Sequence, residues 1–167
     1  LRWSPDGSWI WFRASAEPES DRAEDLYGVP RSGKELVMLV GPSGSVLSDP
    51  VELATTPIGP RLLFVADVSG DGDVYTMAPD GSEIQNLTDN QAEDWNPTWS
   101  PGGTHIALSS DRDGNAEIYL MDAMGTAVRR LTAHGATDRT ATWLSLPGIM
   151  IGMTNATNQG RGQPAEP

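Results

Sequence analysis

Between Ser110 and Asp122 the chain reads SDRDGNAEIYLMD, with Asp111, Asp113, Asn115 and Glu117 at every second position around Gly114. Alternating acidic and amide oxygens are how proteins hold hard cations such as calcium, and Asp, Asn and Gly are equally the residues with which a chain reverses. An EF-hand loop needs glycine at its sixth position and glutamate at its twelfth, whereas counting from Asp111 places Gly114 fourth and Asp122 twelfth. The spacing therefore favours a hairpin turn in which Asp111 and Asn115 cap backbone amides and Gly114 takes a positive φ. Calcium held by Asp111, Asp113, Asn115 and Glu117 is the alternative.

Other patterns with chemical potential are weaker. GVPRSGKE, from Gly28 to Glu35, has the glycine and lysine spacing of a phosphate-binding loop, but Glu35 stands where a hydroxyl must bind magnesium, and a carboxylate there repels phosphate. His105 and His134 stand alone, with no His-x-x-x-His spacing. GPSGS, from Gly41 to Ser45, fails the G-x-S-x-G pattern of a hydrolase nucleophile at its last residue. There is no cysteine, which excludes disulfides, thiolate zinc sites and a cysteine nucleophile. No catalytic constellation is visible and no cofactor is expected, with calcium the one alternative. Asn155-Ala156-Thr157 fits a glycosylation acceptor, a short pattern that arises often by chance.

Charge narrows the partners. Eleven Lys and Arg stand against 23 Asp and Glu, a net charge of −12, so contacts with nucleic acid or anionic membranes lack the basic clusters they need. No apolar run reaches the length of a membrane span, so direct insertion is not expected. The chain opens LRWSPDG without methionine, as a piece of something longer would.

The elements that position these residues emerge from an internal repeat. DVYTMAPDGSEIQNLT (Asp73 to Thr88) aligns with EIYLMDAMGTAVRRLT (Glu117 to Thr132) at an offset of 44 residues, matching Tyr75 with Tyr119, Met77 with Met121, Gly81 with Gly125 and Thr88 with Thr132. The same offset pairs Pro57 with Pro101 and Asp67 with Asp111. An earlier copy pairs Tyr27 with Tyr75 at 48 and Phe12 with Phe64 at 52, which makes the acidic stretch Ala14 to Asp25 a loop insertion. A fourth copy starts with Trp143 opposite Trp99 and stops halfway. Within each copy, four short β-rich runs are separated by turn residues without helical periodicity, the signature of an antiparallel meander. One such sheet cannot bury both faces alone, so neighbouring copies must stack, as propeller blades do.

The motifs WSPDG (Trp3 to Gly7), PTWSPGG, SSDRDGN, EIYLMD and RRLT resemble the TolB-type β-propeller repeat over nearly the whole chain to Thr154. The expected fold is all-β, a β-propeller fragment of about three and a half four-stranded antiparallel blades. Its units span residues 1–48, 49–95, 96–139 and a half unit 140–154, with 155–167 a disordered tail. The second unit departs from the pattern, with Thr55 in the tryptophan position and TPIG in place of S-P-D-G. Because a closed propeller needs at least four blades, the chain is expected to be a fragment or to associate through its blades.

Trp3, Trp99 and Trp143 recur at one repeat position and are expected to pack blade on blade. Trp9, Trp11 and Trp95 do not recur and are expected at a partner contact. The non-repeating acidic loops Asp21 to Asp25 and Asp89 to Trp95, the latter with Asp89, Glu93 and Asp94, point to a basic protein or peptide partner. The resemblance implies a non-catalytic scaffold in the bacterial periplasm or outside the cell. Two rivals remain: the propeller portion of a prolyl oligopeptidase-type hydrolase, and a propeller binding sugar or metal.

Overall fold

The computed structural model of the protein describes residues 2–4, 7–14, 25–33, 36–40, 45–46, 52–67, 70–146 and 149–155. Among these residues the regular structure is strand alone, arranged in successive antiparallel sheets. The first sheet holds β1 (Arg2–Trp3), β2 (Trp9–Ala14), β3 (Asp25–Pro30) and β4 (Val37–Val40) in that order. The second holds β5 (Ser45–Val46), β6 (Glu52–Thr56), β7 (Gly59–Asp67), β8 (Gly72–Met77) and β9 (Gln85–Asn86), with β5 and β6 both pairing with β7. The third is β10 (Asp94–Trp99), β11 (His105–Ser110), β12 (Glu117–Asp122) and β13 (Arg129–Arg130), and β14 (Ala141–Leu146) pairs with β15 (Ile149–Asn155). The result is an all-β propeller fragment of three meanders and half of another.

The second and third sheets start at Ser45 and Asp94, ahead of the unit boundaries expected after residues 48 and 95. The start of each first strand pairs with the end of the second, Ser45 with Asp67 and Asp94 with Ser110. Of the expected tail 155–167, Asn155 ends β15, paired with Ala141, and the remainder lies outside the described residues, as does the Ala14 to Asp25 insertion apart from its strand-bound ends.

Strand alternation explains how the sheets stack. In β7 the run Leu62-Leu63-Phe64-Val65-Ala66 is buried on both faces, as a central strand between two neighbours must be. Leu62, Phe64 and Ala66 join Trp11 and Leu26 of the first sheet, while Leu63 and Val65 join Trp99, Ile106 and Leu108 of the third. Ala107, from the other face of β11, packs with Ile118, Leu120 and Ala141 and draws in Trp143. Register repeats with the sequence: Phe12 opposes Tyr27, Phe64 opposes Tyr75, and Leu108 opposes Tyr119. The two aromatic pairs stack at 5.8 and 5.7 Å between ring centroids.

The serine of the W-S-P motif ties the first hairpin of a unit. Ser100 Oγ accepts from the amides of Thr104 (3.2 Å) and His105 (3.1 Å), and Ser4 Oγ accepts from the Trp9 amide (2.9 Å). Gly103, at φ 62°, brings this turn onto the second sheet, where a Cβ would lie 2.2 Å from the Thr55 carbonyl oxygen. Only glycine fits.

The second sheet corrects the expected alignment. Ile106 opposes Trp99, but its counterpart Leu62 opposes Leu53, and Thr55 opposes Pro60. Leu53, not Thr55, stands in the tryptophan position, because two more residues separate Leu53 from Leu62 than separate Trp99 from Ile106, and the strands pair on to a two-residue turn after Thr56. Of the recurring tryptophans, Trp99 is buried between the second and third sheets, and Trp143 donates its Nε1 to the Thr98 carbonyl at 3.3 Å. Trp3 opposes Ile10 on the face of the first sheet turned away from the second and is 54% exposed.

Candidate functional site

One edge of the stacked sheets carries the turn from β11 to β12, the loop from β9 to β10 and the loop after β13, and here the acidic residues gather. Glu117, the first residue of β12, is fully buried. Its carboxylate accepts from Thr132 Oγ1 (2.5 Å), Arg130 Nη2 (2.6 Å), Asn115 Nδ2 (2.9 Å) and the His134 amide (3.3 Å). Burial pushes its pKa up, but the bonds from Thr132, Asn115, Arg130 and the His134 amide outweigh that and hold it at about 2. Thr132 Oγ1 in turn accepts from the Ile118 amide at 2.9 Å, so the L-T motif locks the outer strand onto the third.

The second sheet repeats the device with different atoms. Buried Asp73 accepts from Thr88 Oγ1 (3.0 Å) and Asn86 Nδ2 (2.9 Å), and Thr88 Oγ1 accepts from the Val74 amide (2.9 Å). Asn86 holds the place of Arg130. In the third sheet Asp113 accepts from the Tyr119 hydroxyl and lies 3.3 Å from Arg130 Nη1, whereas the second copy has neutral Ser69 at that sequence position. The second copy thus replaces Asp113 by Ser69 and Arg130 by Asn86, and carries Asp71 where the third has Asn115. Burial, then Asp113, push the Tyr119 hydroxyl up to about 12.

The four residues weighed for calcium are thus distributed over separate tasks. Asp111 Oδ1 accepts from the Glu93 amide (3.0 Å), and Gly114 closes the turn on the Asp111 carbonyl (2.8 Å) with φ 100°. Asn115 caps carbonyls instead of the amides expected, donating to His134 O (3.2 Å) and Ala136 O (3.0 Å). Between Asp113 and Glu117 the positive charge is the Arg130 guanidinium. Among the described residues, no three His, Asp or Glu side chains are grouped to hold a metal ion.

The loop Asp89 to Trp95 is anchored from several sides. Asp94 is fully buried, bonded to Arg112 Nη2 (2.8 Å) and Asn90 Nδ2 (2.7 Å), and therefore holds the loop from within. Arg112 also lies 4.7 Å from the centre of the Tyr119 ring, a cation–π contact. The Gly72 amide donates to Glu93 Oε2 at 3.1 Å. Asp89 and Glu93 are exposed and Trp95 is half-buried. Trp11 is 3% exposed, enclosed between the first two sheets where no surface partner reaches it. Trp9 lies at the opposite edge, just past the β1 to β2 turn and half-buried against the same core. The loop Asp21 to Asp25 lies, but for the first residue of β3, outside the described residues. Sequence reasoning passed over Arg112, Arg130 and the two threonines as site-building residues. The signal was available in the repeat, where Thr recurs and Asp113 with Arg130 changes together to Ser69 with Asn86.

Comparison with known proteins places this arrangement. The model of the TolB beta propeller domain family matches residues 53–163, well over half of the chain. The Tol-Pal system protein TolB of Geobacter sulfurreducens is 39% identical over 50 residues, 30% of this chain and 12% of that protein. The TolB homolog of Chlorobaculum tepidum is 36% identical over 63 residues, 36% of this chain and 14% of its own. Among solved structures, a putative TolB from Agrobacterium tumefaciens aligns with a TM-score of 0.59 at 23% identity, over 77% of this chain and 46% of that one. TolB from Acinetobacter baumannii gives 0.57 at 22%, over 90% and 38%. A puromycin-hydrolyzing peptidase of Mycobacterium tuberculosis gives 0.56 at 19%, over 80% and 23%. These structural likenesses are of fold alone, and the chain spans only 12–14% of the curated relatives it matches. Carrying the family's repeat in sequence and its stacked four-stranded sheets in structure, this chain belongs to the TolB beta propeller domain family.

Proposed function

We propose that the chain is a non-catalytic scaffold that binds a protein or peptide partner through the loop Asp89 to Trp95, with a basic segment of the partner against it, in the periplasm or outside the cell. The observation that supports this most directly is the contrast within that loop. Its backbone is pinned by Asp94 with Arg112, by Asp111 on the Glu93 amide and by Glu93 on the Gly72 amide, while Asp89 and Glu93 remain exposed. A preorganised acidic rim loses little entropy on binding and attracts cationic segments. The scaffold role leans on the relative named a Tol-Pal system protein, and the compartment on the resemblance to TolB-type propellers.

The test is calorimetry of the chain with a lysine-rich peptide and with its glutamate counterpart. Binding of the basic peptide alone, weakened about three- to tenfold by Asp89→Asn with Glu93→Gln and further by salt, supports the proposal. Equal binding of both peptides, or no effect of the double variant, refutes it. A second reading, the propeller portion of a prolyl oligopeptidase-type hydrolase, draws on the peptidase that aligns nearly as well as the TolB structures. A G-x-S-x-G motif with later Asp and His in the same polypeptide would decide for it.

A further inference from the structure

At the edge opposite the acidic loops, a cleft of about 440 Å³ opens between the first and second sheets. Its apolar walls include Trp9, Leu53, Pro60 and Pro79, and Ser8 and Asp80 stand among them. The volume lies within the range of ligand sites, roughly 300–1,000 Å³.

The cleft has a specific structural origin. Between the second and third sheets the turn after Trp99 runs through Pro101-Gly102-Gly103 and reaches its neighbour, so a Cβ on Gly103 would lie 2.2 Å from Thr55 O. Between the first and second sheets the corresponding turn is only Pro57-Ile58, with Thr56 bonded across it to the Gly59 carbonyl at 2.7 Å. Gly59, the counterpart of Gly103, has no atom within 4 Å of its would-be Cβ. The β6–β7 hairpin carries its tight turn out on longer strands, so the broad turn that meets the neighbouring sheet at Gly103 has no equivalent at Gly59. Trp9, which has no tryptophan counterpart in the later units, stands in the gap.

We propose that this cleft binds an extended, proline-containing basic peptide segment of a partner, with a proline ring against Trp9 between Pro60 and Pro79 and a Lys or Arg at Asp80. Extended proline-rich chains lose little entropy on binding and recognise aromatic-lined grooves by flat apolar contact. The basic residue follows from charge. Asp80 is exposed and ionised, its Oδ1 held by the Ser82 amide (3.0 Å) and hydroxyl (2.6 Å), and the whole chain carries −12. The nearby cation Arg61 is engaged by Glu83.

The cleft and the acidic loops lie at opposite edges, so the two proposals fail separately. The test titrates the whole chain with a synthetic peptide of alternating Pro and Arg, following indole resonances by NMR, beside peptides with Gly for Pro or Glu for Arg. The expected result is a shift of one indole signal, lost in Trp9→Ala, with affinity lowered at least tenfold by that change and by the exposed substitution Asp80→Lys. Grafting Ser-Pro-Gly-Gly-Thr-His, the segment that joins Trp99 to Ile106, in place of residues 54–61 gives the second sheet the third sheet's hairpin, closes the cleft and abolishes binding, with melting curves confirming that each variant folds. Binding that survives Asp80→Lys and the graft, no binding at millimolar peptide, or loss only on Asp89→Asn with Glu93→Gln overturns the cleft proposal. The last outcome leaves the acidic-loop proposal standing.

Discussion

Replacing Glu117 by glutamine tests whether its buried carboxylate is what locks the third sheet. The change keeps shape and removes charge. Glu117 accepts from four donors, and an amide in its place turns one end into a donor facing Thr132, Asn115 or Arg130. Breaking a buried ion pair costs about 3–5 kcal/mol. The lower end applies, about 3 kcal/mol, because the Arg130 side chain is 30% exposed and keeps Asp113 at 3.3 Å. For a chain of this size that lowers Tm by roughly 6–12 °C. The sign of the pH dependence is also set. With its pKa depressed from 4.5 to about 2, Glu117 stabilises the fold above pH 4.5, and the contribution is lost as pH falls towards 2. Thermal unfolding followed by circular dichroism should show the full gap between wild type and Glu117→Gln at pH 7, narrowing steadily below pH 4.5. A variant melting within about 1 °C of wild type at pH 7, or a gap that does not narrow in acid, refutes the reasoning.

Two further outcomes follow from glycine geometry and from exposed surface. Gly103→Ala drives a Cβ into the Thr55 carbonyl at positive φ and should cost about 3 kcal/mol, whereas Gly114→Ala, at φ 100° in open space, should cost about 1–2 kcal/mol; denaturant titration of both variants checks the order. Trp3, Ile10, Phe12, Tyr27 and Met38 share the outward face of the first sheet by register, with Trp3 54% and Met38 50% exposed, so the chain should self-associate. Light scattering should give a mass above one chain that returns to the monomer in Trp3→Glu with Met38→Lys.

Much of the architecture was legible because a repeat states each structural rule more than once. The offset of 44 matched Phe64 and Leu108, Tyr75 and Tyr119, and the pairing register confirms those matches residue for residue. It failed at Thr55, because two extra residues in the hairpin shift the register and sequence alignment without gaps cannot see which strand partner changes. It also failed for Trp11 and Asp94, both read as surface contacts and both buried. Non-recurrence marked them as unusual without indicating direction.

The sequence by itself determined the strand order and the turn positions, since alternation and turn chemistry act over a few residues. The tertiary structure alone decided which carboxylates are spent on the fold and which face outward. Glu117 and Glu93 are both acidic residues beside turns, yet one lies beneath Thr132, Arg130 and Asn115 and the other on an exposed rim. Apart from nearby Asn115, the donors to Glu117 come from strands and loops 13 to 17 residues along the chain, and the donor to Glu93 comes from the neighbouring sheet's turn. Stacking of sheets brings them together, and no local pattern encodes that distance.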